Sequence, residues 1–329
     1  MLLRAARSKS PILLFFLTLI VIAMWWSSFN ASDLSRFHFE QVQMPLYRLT
    51  MGWIGQEVFV NTLVAFIILI IQGLIILRFN QQYIFITTQT YLHPIFYFLI
   101  ASSFIQLQQY HPALPAGLFI LLMMDQLFGS YRKRYILNRL FLAGLFAGVA
   151  TLFYVQAVYF ILLIWVALVI LRAFSLREWF VPILGFAFPM AFLAGYYFYA
   201  DHTTLQGLWK LIVSCYGQNE TVTYYGWSYY LFYGFLAIWW LMASFSMLRK
   251  MHKLKIYIRK YHEILWWFFI GSVAIFVLRK EVSVEMLYFT ALPLSFLLAD
   301  HIHGLRSRTF GNILLLIFIA LLGLIQYMN

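Results

Sequence analysis

The chain has 329 residues, of which 64% are hydrophobic and 20% aromatic, while only 10% carry a charge. Soluble globular proteins carry roughly 25% charged and 45–50% apolar residues, so this composition excludes a water-soluble enzyme, a disordered chain and a fibrous repeat. The mean hydropathy of +0.82 predicts an integral membrane protein. The single cysteine, Cys215, excludes an internal disulfide and a cysteine-based metal cage.

Apolar runs close to membrane-spanning length follow one another from end to end, without a soluble domain between them. A helical span needs about 20 apolar residues, and about eleven runs approach that length. The runs cover 11–27, 58–78, 91–107, 115–130, 139–154, 157–172, 179–199, 228–247, 264–279, 285–299 and 311–328. The pair within 139–172 is also compatible with one kinked pass, and we favour two spans. The predicted fold is an all-α polytopic transmembrane helical bundle, a single domain over 1–329.

The distribution of basic residues predicts the orientation of the chain, because cytoplasmic loops hold an excess of Lys and Arg. With a cytoplasmic N-terminus, all but five of the 23 basic residues fall in cytoplasmic segments. The five are Arg36, Arg48, Lys210, Arg279 and Lys280. We therefore expect a multi-pass membrane protein whose N-terminus is cytoplasmic and whose C-terminus lies outside. The net charge of +12 then reflects topology, and no nucleic-acid partner is expected.

Only two outside segments are longer than a tight turn, 28–57 and 200–227, and the largest cytoplasmic segment is 248–262. In the first of these, Pro45 suits the first turn of a helix, and three apolar residues follow at helical spacing. They are Leu46, Leu49 and Trp53. This pattern predicts a helix lying in the membrane interface. The cytoplasmic segment is basic and amphipathic, which suits anionic headgroups and makes membrane lipids an expected partner.

The first outside loop concentrates residues that carry acid–base chemistry. Asp33, Arg36, His38 and Glu40 fall within eight positions directly after the first apolar run. A carboxylate there would deprotonate an acceptor hydroxyl or hold a divalent cation against a phosphate leaving group, and Arg36 or Arg48 would bind phosphate oxygens. The alternative is a solvated loop whose charges only keep it out of the lipid. A divalent cation is the one cofactor that this pattern leaves open.

Other polar residues allow the same two interpretations, a functional site or a purely structural or solvated role. Glu57 and Asn61 lie one helical turn apart, where they would enlarge the same pocket or simply begin a helix. Lys210, in the second outside loop, is a further cation for a phosphate or a solvated side chain. The middle of every run lacks ionisable residues, which argues against an ion-coupled transporter. A passive lipid or solute transporter would need a polar cavity lined by Asn61, Gln72, Ser102, Ser103 and Gln156.

Glycine and proline in the middle of the chain carry packing information. Gly144 and Gly148 form a small-xxx-small motif, which allows two membrane helices to approach closely. Pro182 and Pro189 predict kinks or local breaks in the seventh run.

Three stretches carry a resemblance to a known family: NRLFLAGLFAGVATLFY at 138–154, LRAFSLREW at 171–179 and YFTALPLSFLLAD at 288–300. They resemble an uncharacterised family of Bacteroidota polytopic inner-membrane proteins. The resemblance covers most of the chain at the level of topology, and it implies the same many-helix fold in a bacterial inner (cytoplasmic) membrane.

The chain is also similar, more loosely, to GT-C type membrane glycosyltransferases. These proteins have many spans, an acidic residue in the first outside loop, membrane-skimming helices after it and a glycine-containing helix pair in mid-chain. The resemblance implies sugar transfer from a polyprenyl-phosphate donor on the outer side, with Asp33 as the base and Glu40 or His38 assisting. Three cations would receive the phosphate: Arg36, Arg48 and Lys210. The competing hypothesis is a non-catalytic membrane subunit or scaffold of an envelope complex, whose outside loops bind a protein partner.

Overall fold

In the computed structural model, the described residues are 11–31, 43–55, 57–85, 90–133, 135–171, 175–200, 226–279, 284–305 and 307–328. They form helices joined by short connections, with no β-strand among them. The twelve α-helices are α1 Pro11–Phe29, α2 Pro45–Ile54, α3 Val58–Tyr83, α4 Leu92–Ala101, α5 Ala113–Phe128, α6 Leu137–Phe153, α7 Ile161–Leu171, α8 Leu176–Ala200, α9 Trp227–Lys250, α10 Ile256–Leu278, α11 Leu287–Gly304 and α12 Arg308–Met328. The all-helical prediction is confirmed for this part of the chain.

Five helices, α3, α8, α9, α10 and α12, are long and apolar enough to cross a membrane. The 26 residues of α3 rise about 39 Å, which exceeds a hydrocarbon thickness of about 30 Å. The outward face of α3 is apolar, with Phe59, Leu63, Ile67 and Leu74 all exposed. An exposed apolar stripe of this kind suits lipid rather than water. The shorter helices α4 to α7 are also apolar and pack between the long ones.

The helices coincide with the predicted apolar runs, but several boundaries differ. The run 91–107 is interrupted, because α4 ends at Ala101 and a turn precedes the 3₁₀ segment Ile105–Leu107. The segment 248–262, which we predict to be cytoplasmic, is divided between the end of α9, a 3₁₀ turn and the start of α10 at Ile256. Lys and Arg are good helix formers whose charged ends reach back to water, so the helices extend past the apolar runs.

The region 139–172 contains two helices, as we favoured, since α6 ends at Phe153 and the 3₁₀ segment Val155–Phe160 precedes α7. The predicted local break in the seventh run does not occur. Instead, α8 continues through both Pro182 and Pro189. Neighbouring helices and local adjustments can accommodate the hydrogen bond that each proline removes, which explains why proline is tolerated inside such helices.

The closest packing in the bundle is between α6 and α8, which run parallel. A methyl group added to Gly144 would overlap the carbonyl oxygen of Pro182, and one added to Gly148 would lie 2.6 Å from that of Phe186. On α8, a methyl group added to Gly185 would likewise overlap the carbonyl oxygen of Phe141. The predicted small-residue contact is therefore confirmed, and its partner helix is α8.

One end of the bundle, called the Tyr110 end below, is built around the connection 102–112. The Ser28 hydroxyl, at the end of α1, donates to Gln108 Oε1 at 2.6 Å. The Gln326 amide, near the end of α12, donates to the Ser102 carbonyl at 3.0 Å. The beginnings of α3, α5, α9 and α11 and the ends of α4, α6 and α10 meet at this same end.

The opposite end, called the Tyr131 end, carries most of the charge. The Tyr83 hydroxyl donates to Asp125 Oδ1 at 2.9 Å, which ties α3 to α5. Lys250 Nζ lies 3.4 Å from Asp300 Oδ2, which pairs the ends of α9 and α11. The cations Arg132 and Lys260 lie over the ring of Tyr131, at 5.5 and 5.8 Å from its centroid.

Candidate functional site

Five of the predicted site residues lie outside the described part of the chain. They are Asp33, Arg36, His38, Glu40 and Lys210. Their roles stay predictions. The described residues of the predicted site are Arg48, Glu57 and Asn61, which all lie at the Tyr110 end.

Glu57 and Asn61 have different environments in the structure. Glu57 is exposed and directly precedes α3 in an extended conformation, with φ −65° and ψ 121°. Asn61 is only 1% exposed, and its Oδ1 accepts a hydrogen bond from the backbone N–H of Tyr110 at 2.7 Å. The Asn61 amide also lies 3.9 Å from the sulfur of Met51. Asn61 thus connects α3 with α2 and with the 102–112 connection.

The short helix α2 is attached firmly to the Tyr110 end. The rings of Tyr47 and Tyr110 stack with centroids 5.5 Å apart and an interplanar angle of 15°. Thr50 Oγ1 lies 2.7 Å from the Tyr110 hydroxyl. Burial raises the pKa of the Tyr110 hydroxyl above its ordinary value, so this hydroxyl stays protonated and keeps its hydrogen bond. Because Tyr47 and Thr50 both contact Tyr110, the rotation of α2 about its own axis is fixed.

An apolar groove of about 480 Å³ is lined by residues of α2, α6 and α8. Leu46 and Leu49 contribute from α2. Leu145, Val149 and Leu152 contribute from α6, at a spacing that places them on one helix face. The α8 side is mostly aromatic, with Phe188, Pro189, Phe192, Leu193, Tyr196 and Tyr197.

One cation, Arg48, stands next to the groove residue Leu49 on α2. Arg48 is exposed. Along the chain, residues 32–42 precede α2 and residues 201–225 follow α8, and these two segments hold the other predicted site residues. An apolar groove with a cation on one of its helices fits a lipid that carries a phosphate.

The buried polar side chains of the transporter hypothesis join helices to one another. The Gln72 amide donates to the Leu114 carbonyl at 2.7 Å, and its oxygen accepts from the Tyr97 hydroxyl at 2.6 Å. The Trp25 indole donates to Ser102 Oγ at 2.8 Å. These bonds connect α3 with α4 and α5, and α1 with the end of α4. None of these side chains lines the groove beside α2.

Two members of that polar set make local contacts or none that the structure describes. Ser103 Oγ donates to the Ile100 carbonyl at 2.8 Å, within its own turn. Gln156 is buried, and its Oε1 has no hydrogen-bond partner among the described residues. Within the same part of the chain, no group of three or more His, Cys, Asp or Glu residues could hold a metal ion.

The groove residues of α6 were not identified from the sequence. An apolar residue that faces a groove has the same pattern as one that faces lipid or the protein core. The sequence feature that could have indicated the groove is the apolar stripe of Leu145, Val149 and Leu152. It lies beside the Gly144 and Gly148 motif on the same helix. That stripe could be recognised only after α8 was known to pack against the glycines.

The chain matches no protein-family model, no curated protein and no solved structure.

Proposed function

We propose that the protein is a GT-C-like transferase of a bacterial inner membrane, with about eleven spans, that uses a polyprenyl-phosphate-linked sugar on the outer side. Two observations support the topology. The eleven helices other than α2 have their ends alternately at the Tyr110 and Tyr131 ends of the bundle. The basic residues concentrate at the Tyr131 end, which the positive-inside rule assigns to the cytoplasm.

The observation that carries the proposed activity is the apolar groove beside α2, together with the exposed Arg48 that stands next to its lining residue Leu49. The groove would hold part of the polyprenyl chain, and Arg48 would bind the phosphate near the outer membrane surface. Arginine suits this role because its planar guanidinium can make two parallel hydrogen bonds to a phosphate. Arg36 and Lys210 would add positive charge from the two adjoining outside segments.

The proposed reaction is the transfer of the sugar to an acceptor hydroxyl. Asp33 removes the hydroxyl proton while a bond forms between the acceptor oxygen and the sugar carbon, and the bond from that carbon to the phosphate oxygen breaks. Glu40 or His38 assists the proton transfer. The lipid phosphate leaves with the bonding electron pair, and Arg48 stabilises its negative charge.

The first experiment tests donor binding. Purified, delipidated protein is titrated with polyprenyl phosphate and with the neutral polyprenol, and native mass spectrometry measures retention. Wild type is expected to prefer the phosphate, and Arg48→Gln to weaken its binding by about tenfold, since a charged hydrogen bond contributes roughly 1.5–3 kcal/mol. Leu49→Trp should lower retention of both lipids because it fills the groove.

Matched controls are available on the exposed face of α3. Arg78→Gln and Leu74→Trp make the same chemical changes at exposed positions away from the groove, and should leave binding unchanged. Asp33→Asn should abolish glycan transfer while binding, folding and membrane insertion persist. Equal retention of polyprenyl phosphate and polyprenol by wild type would disprove the proposed donor site.

A non-catalytic subunit is the second candidate, and one feature of α8 favours it. Only 17% of the most apolar stretch of α8 is buried, the lowest share among the five long helices. Outside the groove beside α2, it exposes Phe180 and Leu184. A membrane helix of a partner protein would cover such a face. If Asp33→Asn leaves envelope glycans unchanged while the protein copurifies with another membrane protein, this second function is supported.

A further inference from the structure

We propose that a second groove, between α7 and α10, binds one acyl chain of a phosphate-bearing diacyl lipid of the surrounding bilayer, with the phosphate at Arg279. The groove has a volume of about 340 Å³ and is lined almost entirely by apolar side chains of the two helices. Leu162, Val166 and Trp267 are among them. This groove lies on different helices from the one beside α2, so the inference does not depend on the proposed sugar transfer.

Arg279 is held at the Tyr110 end of the second groove. It directly follows α10, and its Nε donates to the Tyr159 hydroxyl at 2.7 Å. The guanidinium carbon lies 5.6 Å from the centroid of the Tyr159 ring. These two contacts orient the guanidinium at the mouth of the groove, where it is partly exposed. A phosphate at that point would receive charge-assisted hydrogen bonds.

One carboxylate of the same connection, Glu285, is buried. It is only 1% exposed and accepts a hydrogen bond from the Tyr154 hydroxyl at 3.2 Å. Among the described residues that line the groove, Arg279 is the one that carries a charge. A cation among the lining residues complements an anionic headgroup.

The length of the groove distinguishes a bilayer lipid from a polyprenyl lipid. From Trp267 to Arg279, α10 rises about 18 Å. One leaflet contributes about 15 Å of hydrocarbon, half the thickness of the bilayer core. An acyl chain whose headgroup sits at Arg279 would therefore reach Trp267 and end there. A polyprenyl chain is longer than one leaflet is thick and would extend beyond the groove.

Gly271 offers a way to fill the groove without disturbing the fold. It lines the groove, and a Cβ built on it meets no other atom within 4 Å. In Gly271→Leu the new side chain would occupy the space of the acyl chain. Gly234 on α9 is equally open but lies outside the groove, so Gly234→Leu is the matched control.

The test uses the full-length protein, delipidated in detergent and titrated with phosphatidylglycerol or with diacylglycerol of the same acyl chains. Native mass spectrometry measures how much of each lipid stays bound. We expect wild type to prefer phosphatidylglycerol, and Arg279→Gln to weaken this binding by about tenfold. Arg279→Lys should keep most of the phosphatidylglycerol binding, because it keeps the positive charge. Gly271→Leu should reduce retention of both lipids, and Gly234→Leu should not.

Arg249→Gln is the charge control, because the Arg249 guanidinium also lies over a ring, 4.2 Å from the centroid of Phe245, but at the Tyr131 end. The inference is overturned if wild type retains both lipids equally. It is also overturned if Arg279→Gln lowers retention of phosphatidylglycerol no more than Arg249→Gln does. Tighter, Arg279-dependent binding of polyprenyl phosphate would assign the groove to the sugar donor and overturn it too. Arg48→Gln should leave phosphatidylglycerol retention unchanged, so the two proposals can fail separately.

Discussion

Single polar side chains hold several helices together inside this apolar protein. Gln72 is the clearest case, because it is fully buried in α3 and both ends of its amide are bound, one to α5 and one to Tyr97 of α4. Hydrogen bonds between membrane helices contribute about 0.6 kcal/mol on average and up to about 1.7 kcal/mol in measured cases. The contribution of Gln72 to stability is therefore modest, but it fixes the position of three helices at once.

Tyr97→Phe should lower the free energy of unfolding by roughly 1 kcal/mol, because the Gln72 oxygen loses its donor. The measurement is an unfolding titration in mixed micelles. Tyr135→Phe is the matched control, since Tyr135 is 89% exposed and its hydroxyl is not in the core. Equal stability of the two variants would contradict the role assigned to this bond.

The sequence could identify these polar residues but not their partners. It placed Gln72 and Ser102 in one hypothetical cavity because polar groups within apolar runs are costly and need an explanation. Their partners Leu114 and Trp25 lie 42 and 77 positions away along the chain, a separation that no local pattern reveals.

At the scale of elements, the contact between α6 and α8 determines the shape of the α2 groove. Gly144 and Gly148 let the two backbones meet, and this contact brings Leu145 and Val149 next to the aromatic face of α8. The sequence predicted the close contact but left its partner open. It also predicted a kink or local break at Pro182. The helix α8 is continuous there, and the backbone of Pro182 packs against Gly144.

Gly144→Ala should destabilise the protein by roughly 1–3 kcal/mol, the usual cost of adding volume to a well-packed core. The new methyl group would meet the backbone of Pro182, which cannot rotate away as a side chain can. Gly195→Ala on α8 is the control, because its Cβ would have open space. Thermal unfolding in detergent compares them, and a Gly144→Ala midpoint no lower than that of Gly195→Ala would refute the close contact.

At the scale of the whole molecule, the alternation of helix ends agrees with the charge distribution. Each helix other than α2 ends opposite to where it began, and most of the described cations lie at the end that contains Tyr131 and Lys250. A membrane potential and anionic lipids both favour basic residues on the cytoplasmic side. The Tyr110 end, with both proposed lipid sites, would then face outward.

The sole cysteine provides a direct test of this orientation. A membrane-impermeant maleimide applied to spheroplasts should label Cys215, which the proposed topology places outside. In a Cys215→Ser background, Lys253→Cys at the exposed turn after α9 should be labelled only after the membrane is opened. The reverse pattern of labelling would invert the topology and move both proposed lipid sites to the cytoplasmic side.

Composition and periodicity determined the class of this protein and the approximate position of its helices, because each segment of apolar chain must satisfy its own backbone hydrogen bonds. The sequence also indicated α2 and the small-residue contact, both of which depend on neighbouring residues. Only the tertiary structure decided that α8 packs on Gly144, that Asn61 binds Tyr110, and that Arg279 lines an apolar groove. These features arise between distant segments, and an apolar side chain carries no local signal of whether it faces a core, a groove or lipid.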